Sequence, residues 1–265
     1  MKKSLLALAA VSAISVLPTL AQAADAPKSD WTITGNAGLF SDYRFRGFTQ
    51  TAYKPAFQGG FDVGHASGFY FGNWNSNVEQ LLYRGASLEM DFYGGYKFEV
   101  AGVGLDVGAL YYFYPTKADT LGQGHVHQDE IYIGASYSIV TAKLNYGLSN
   151  FFGLGDGTGV DTKGNWYLDL SAAYDLGGGW GVNGHYGHQY IKNATDPLIG
   201  LSKKSVDDYK LGVTKDLSGW VVGAAVVGTS KKAYFTTGAG VVPGALITPE
   251  DGGKTSVVLS LSKTF

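Results

Sequence analysis

The sequence of 265 residues contains no cysteine, which excludes a disulfide framework. It also lacks any strong charge of one sign. The formal net charge is −2, so composition implies no nucleic-acid partner. Beyond the first residues no run is apolar enough for a membrane helix. Phosphate cradles are missing as well. Gly122-Gln123-Gly124 and the glycines at 177–179 have no strand–loop–helix context and no following Lys-Ser/Thr, so they read as turn and loop glycines.

What the chain has instead is 39 glycines, 18 tyrosines and 14 phenylalanines, with few long helical patterns. That balance indicates an all-β chain rich in turns, of a length that suits a single barrel. The N-terminus reads MKKSLLALAAVSAISVLPTLAQA. Lys2 and Lys3 precede an apolar run from Leu5 to Leu17, and Ala21-Gln22-Ala23 follows as a small-x-small cleavage pattern. The expectation is a secretory signal peptide at 1–23 and one domain at 24–265. The apolar run is shorter than the ~20 residues a membrane helix needs.

The later chain repeats stretches of alternating polarity. In Leu88–Val100, Leu88, Met90, Phe92, Tyr96, Phe98 and Val100 share one face, and Glu89, Asp91, Lys97 and Glu99 share the other. Residues 131–139, 166–176 and 208–217 alternate likewise, although Lys215 falls on an apolar face. Short connections are expected near 66–68, 101–102, 140–141, 177–179 and 218–219. Long ones are expected near 49–54, 79–87, 116–127, 153–164, 191–205 and 231–253. Short and long alternate, which gives twelve strands with all short turns on one rim. The expected fold is a transmembrane antiparallel up-and-down β-barrel of the bacterial outer membrane. A further hairpin within 231–253 would make fourteen strands, against which Pro243 argues. The last segment, KTSVVLSLSKTF, ends on Phe265, like the terminal strand of outer-membrane proteins. Lys263 stands there at an apolar parity and is expected to snorkel. A water-soluble sandwich would carry the same alternation with its apolar face turned inward.

The stretch SDYRFRGFTQT places Asp42, Arg44 and Arg46 on one parity and Tyr43 and Phe45 on the other. Read as a wall strand, it puts the charges in the lumen and the rings in lipid. Asp42, Arg44 and Arg46, with Asp62, Glu89, Asp91, Lys97 and Glu99 from nearby strands, are the candidate constriction. They would set ion preference or close into an internal salt-bridge network. With KPAFQGGFD and HASGFYFGNWNSNV, the stretch resembles the signature of the TorF family of bacterial porins, densely over residues 41–78. The resemblance implies an outer-membrane barrel and a channel, with no substrate and no residue roles to carry over.

Other clusters read more plainly. His65 and Ser67 stand two apart in a short turn. Spacing gives no assurance of a hydrogen bond and no third orienting group is evident, so a turn is expected rather than a hydrolase. His125 and His127, with Asp129 and Glu130, are a weak metal pattern and are expected in a solvated loop. His185 and His188 differ in parity. Trp31, Trp166, Trp180, Trp220 and Tyr190 lie near strand ends, as interface aromatics do. The reading is a channel for small hydrophilic solutes or ions in outer-membrane lipid, with no enzyme activity, no cofactor and no metal. A plugged structural or adhesive barrel is the alternative, and an outer-membrane hydrolase comes third. Whether the barrel forms a homo-oligomer is left open by the sequence.

Overall fold

A computed structural model describes residues 29–115, 126–199, 201–234, 236–237 and 250–265. Within them, twelve strands close into an antiparallel barrel. They are β1 (Trp31–Phe40), β2 (Ala56–His65), β3 (Phe69–Asn77), β4 (Leu88–Val100), β5 (Val103–Phe113), β6 (Gln128–Tyr137), β7 (Val140–Gly147), β8 (Trp166–Gly177), β9 (Trp180–Tyr190), β10 (Ser205–Leu217), β11 (Trp220–Thr229) and β12 (Ser256–Thr264). Each strand pairs with its neighbours in sequence, and β12 closes the ring on β1. The closing register sets Asn36 opposite Thr264 and Phe40 opposite Ser260. Phe265 continues the seam, because its N–H donates to the Gly35 carbonyl at 2.8 Å. Closure leaves no sheet edge unpaired, the condition for a sheet to cross lipid.

The twelve-strand expectation therefore holds, and the fourteen-strand alternative does not. Between β11 and β12, the extended pieces among the described residues are Thr236–Thr237 and Glu250–Asp251. They pair only with each other, outside the barrel sheet. The expected signal peptide at 1–23 lies outside the described residues, as do His125 and Gly122-Gln123-Gly124.

The short-turn rim follows from backbone preference. At Ala101-Gly102 both residues have positive φ, 51° and 80°, as they do at Ser218-Gly219, 57° and 91°. Two-residue hairpins need that conformation to match strand twist. One turn differs from expectation. It lies at Ser138-Ile139, not at 140–141, because Ser138 takes a φ of 55° and Val140 already belongs to β7.

The outward face is apolar. Ile33 is 72% exposed, Leu211 65% and Phe57 62%, with Ile133, Leu170 and Leu259 in the same band. Trp31, Trp180 and Trp220 sit half exposed at the short-turn rim. At the long-loop rim Trp166 stacks on Tyr190, centroids 5.7 Å apart. Lys215 and Lys263, the two lysines at apolar parity, fold back over tryptophans of the short-turn rim. Their ammonium groups lie over Trp180 at 5.1 Å and Trp220 at 5.0 Å. The stems cover the barrel while the charges reach the rim. Among the described residues no helix is long and apolar enough to cross a membrane.

Candidate functional site

The site is built by the first long loop, residues 41–55. The wall-strand reading of SDYRFRGFTQT is corrected here. β1 ends at Phe40, and the alternating residues form a small hairpin in which Arg44 pairs with Thr49 and Phe45 with Phe48. Its tip is Arg46-Gly47, with φ of 46° and 81°. Two positive-φ residues reverse the chain, so parity no longer separates lumen from lipid. Asp42, Tyr43 and Arg46 are all buried inside the barrel. Tyr43, expected in lipid, donates its hydroxyl to Glu89 Oε1 at 2.9 Å.

Asp42 organises the loop. It accepts from Thr49 Oγ1 at 2.5 Å and Thr51 Oγ1 at 3.1 Å, and it pairs with Arg44 Nε. Arg44 then reaches the start of β12, donating to Ser256 Oγ at 2.5 Å and to the Lys254 carbonyl at 3.1 Å. Gln50 joins the second long loop, its side-chain carbonyl accepting from the Tyr83 hydroxyl. Burial, then the nearby Glu89 charge, pushes the Tyr83 phenol well above its ordinary range, which keeps it a donor.

Arg46 carries the hairpin across the lumen. Its Nη2 donates to both oxygens of Glu130 on β6, at 2.7 and 2.8 Å, and its Nη1 to Gln189 on β9. The guanidinium lies between two rings, 4.7 Å from Phe45 and 4.3 Å from Tyr167. Gly47 packs so closely on β10 and β11 that a Cβ would meet Asp208 Cβ and Thr229 Cγ2 at 2.6 Å. The loop is thus held from one wall to the opposite one.

The remaining sequence-named residues are distributed along this interior. Glu89 and Asp91 are buried, and each keeps one oxygen without a partner among the described residues. Asp62 accepts from the Tyr93 hydroxyl at 2.6 Å. Lys97 lies over the Tyr70 ring at 4.4 Å. Glu99 is exposed at the short-turn end of β4. The nearby-strand acids expected as partners for the arginines, Asp62, Glu89, Asp91 and Glu99, are not the ones found, since Arg44 pairs with Asp42 and Arg46 with Glu130.

Several lumen residues escaped the sequence reading. From the sequence, Glu130 is expected in a solvated loop with Asp129. It belongs to β6 and is 2% exposed. The signal was its inward parity with Gln128 and Tyr132, against Ile131 and Ile133. Across successive strands the register sets Lys97 opposite Asp106, Asp106 opposite Gly134, Gly134 opposite Lys143 and Lys143 opposite Asp169. It then sets Asp169 opposite Gly187 and Gly187 opposite Asp208. A belt of mixed charge lines the wall below the hairpin. His185 sits within it, 3.2 Å from Asp169 and 2.8 Å from Asp208. His188 instead pairs with Asp207 and packs on Trp166, on the other face.

His65 Nδ1 does meet Ser67 Oγ, at 2.7 Å. Both belong to the 65–68 turn, and Ser67 N–H also donates to the same ring nitrogen at 3.2 Å. The second contact marks a turn motif, and among the described residues no carboxylate is bonded to the imidazole. Among the described residues no group of three histidines and acids is placed to hold a metal.

The chain was compared with known proteins. No curated protein matches it. Among solved structures it resembles the NanC porin with a TM-score of 0.53 and 10% identity, over 88% of this chain and 99% of that one. The KdgM porin in complex with disordered oligogalacturonate gives 0.48 and 8%, over 88% and 98%. OccAB3 of Acinetobacter baumannii gives 0.41 and 12%, over 89% and 65%. At this identity the likeness to NanC is one of fold. Residues 24–265 match a family described as a bacterial protein of unknown function, Gcw_chp, and the chain belongs to that family.

Proposed function

We propose that the protein is an outer-membrane channel for passive diffusion of small hydrophilic solutes or ions, narrowed by its own first loop. One observation carries this reading. The barrel is inverted relative to a water-soluble one, with an apolar band outside and carboxylates, amides and hydroxyls inside. In water such a band would far exceed the apolar patch a soluble monomer tolerates. On this reading the short-turn rim faces the periplasm and the long-loop rim faces outward. Residues 1–23 are a secretory peptide, and the family match beginning at residue 24 is consistent with that. The TorF resemblance over 41–78 and the fold likeness to a protein named a porin support the same reading. No step of chemistry is required of any residue.

The constriction is Arg46 with Glu130 and Gln189. Asp42 and Arg44 hold the loop, while Glu89 and Asp91 flank it. Asp62, Lys97 and Glu99 line the wall toward the short-turn rim. The second reading, a plugged structural barrel, is favoured by one specific observation: the Arg46 bridge between opposite walls. Conductance of the detergent-folded protein in a planar bilayer, under a salt gradient, separates the two. Discrete steps establish the channel, and the reversal potential gives the ion preference. Silence from a sample shown to be folded establishes the plugged barrel.

A further inference from the structure

Above the Arg46 hairpin, on the long-loop side, the interior changes character. A cavity of about 170 Å³ is lined by Phe45, Phe48, Leu82, Tyr83, Phe151 and Phe152, with Val126 and a few polar groups between them. Its apolar lining is drawn from the first loop, the second loop, the segment just before β6 and the loop after β7. Phe152 enters it from a backbone with φ 47°, a conformation non-glycine residues seldom adopt. Its ring packs edge-on against Phe45, 5.6 Å away, and Tyr112, 5.2 Å away.

The polar groups on this cavity are committed elsewhere. Gln50 accepts from the Tyr83 hydroxyl and donates to the Phe48 carbonyl at 2.7 Å. Gln189 accepts from Arg46 and donates to the Trp166 and Tyr190 carbonyls at 3.0 Å. Thr49 donates to Asp42, and both terminal nitrogens of Arg46 are engaged. A charged guest would lose its hydration and find its counter-groups already paired. A neutral ring would lose little and gain aromatic edges. The volume is slightly above that of an engineered apolar cavity of ~150 Å³ that holds benzene.

We propose that this cavity is a binding site for one small neutral aromatic molecule, held at the outer mouth directly above the constriction. The proposal deepens the channel reading by naming a solute class that the charged lumen alone would not suggest. The site is specific by exclusion: it takes a single uncharged ring and rejects the same ring bearing a carboxylate or an ammonium group.

The test is a binding measurement on the purified, folded full barrel in nanodiscs, independent of transport. Phenol is titrated by isothermal calorimetry or saturation-transfer NMR, with benzoate and benzyltrimethylammonium as charged rings of the same size. The expected result is saturable phenol binding at one site per chain, with the charged probes at least tenfold weaker. Leu82→Trp and Val126→Phe, each of which fills the cavity from a different loop, are expected to weaken phenol tenfold or more while the barrel stays folded by circular dichroism. Absence of saturable phenol binding overturns the proposal. So does binding that both filling variants leave unchanged, or benzoate binding as tight as phenol. If phenol binds but no bilayer current is seen, the site stands and the channel reading fails.

Discussion

Arg46 on the first loop and Glu130 on β6 are 84 residues apart in sequence, yet one guanidinium nitrogen contacts both carboxylate oxygens at 2.7 and 2.8 Å. Both side chains are almost fully buried. The pair fixes where the hairpin ends, and its value lies less in net stability than in what its loss would expose. Arg46→Ala leaves Glu130 buried without its counter-charge, at an expected cost of ~3–5 kcal/mol. Urea unfolding in detergent measures it. Arg46→Ala combined with Glu130→Ala is expected to recover most of that loss, which identifies the orphaned charge as the cause.

Gly47 offers a gentler way to move the loop. Any side chain there is strained by the positive φ and meets the β10–β11 wall. Gly47→Val is expected to lift the hairpin off that wall, at ~1–3 kcal/mol, with strand content unchanged by circular dichroism. Faster proteolysis within residues 41–55 of the folded barrel is the accompanying sign.

Tyr43 and Glu89 test the loop from its base. The Tyr43 hydroxyl is the donor to Glu89 Oε1, and the other carboxylate oxygen has no partner among the described residues. Tyr43→Phe is expected to lower stability by ~1–3 kcal/mol, since a buried carboxylate loses a donor. Replacing Glu89 with Gln in the same background is expected to restore part of it, because the neutral amide is less costly to bury. Thermal unfolding followed by electrophoretic mobility reads both.

The lipid face makes a separate prediction. Ile133 is 54% exposed on the outward side of β6, while Ser136 has inward parity on the same strand. Ile133→Lys is expected to cost ~2–4 kcal/mol if that face meets hydrocarbon. Ser136→Lys is expected to change stability far less. Equal, small effects at the two positions would place the outer face in water and exclude the membrane reading.

The barrel was legible because its rule is local. Alternation in Leu88–Val100, short glycine-bearing turns and the order of connections depend on neighbouring residues, and the strands followed them. The turn after β6 slipped by two residues because Ser138, not a glycine, takes the positive φ. The site was less legible, for the same reason. Alternation in SDYRFRGFTQT reads identically as a wall strand and as a hairpin folded inward. Only the positive φ at Arg46-Gly47 separates them, and arginine is an uncommon residue there. The partners that hold it, Glu130 and Gln189, lie 84 and 143 residues away and announce themselves only as inward-facing polar residues.

The most direct test of the account is single-channel conductance of the wild-type barrel beside a variant in which residues 43–53 are replaced by a short Gly-Ser linker. The account predicts small discrete steps from the wild type and clearly larger steps from the variant, with both folded. Equal step sizes in the two proteins, or silence from the folded variant, would contradict a lumen narrowed by the first loop.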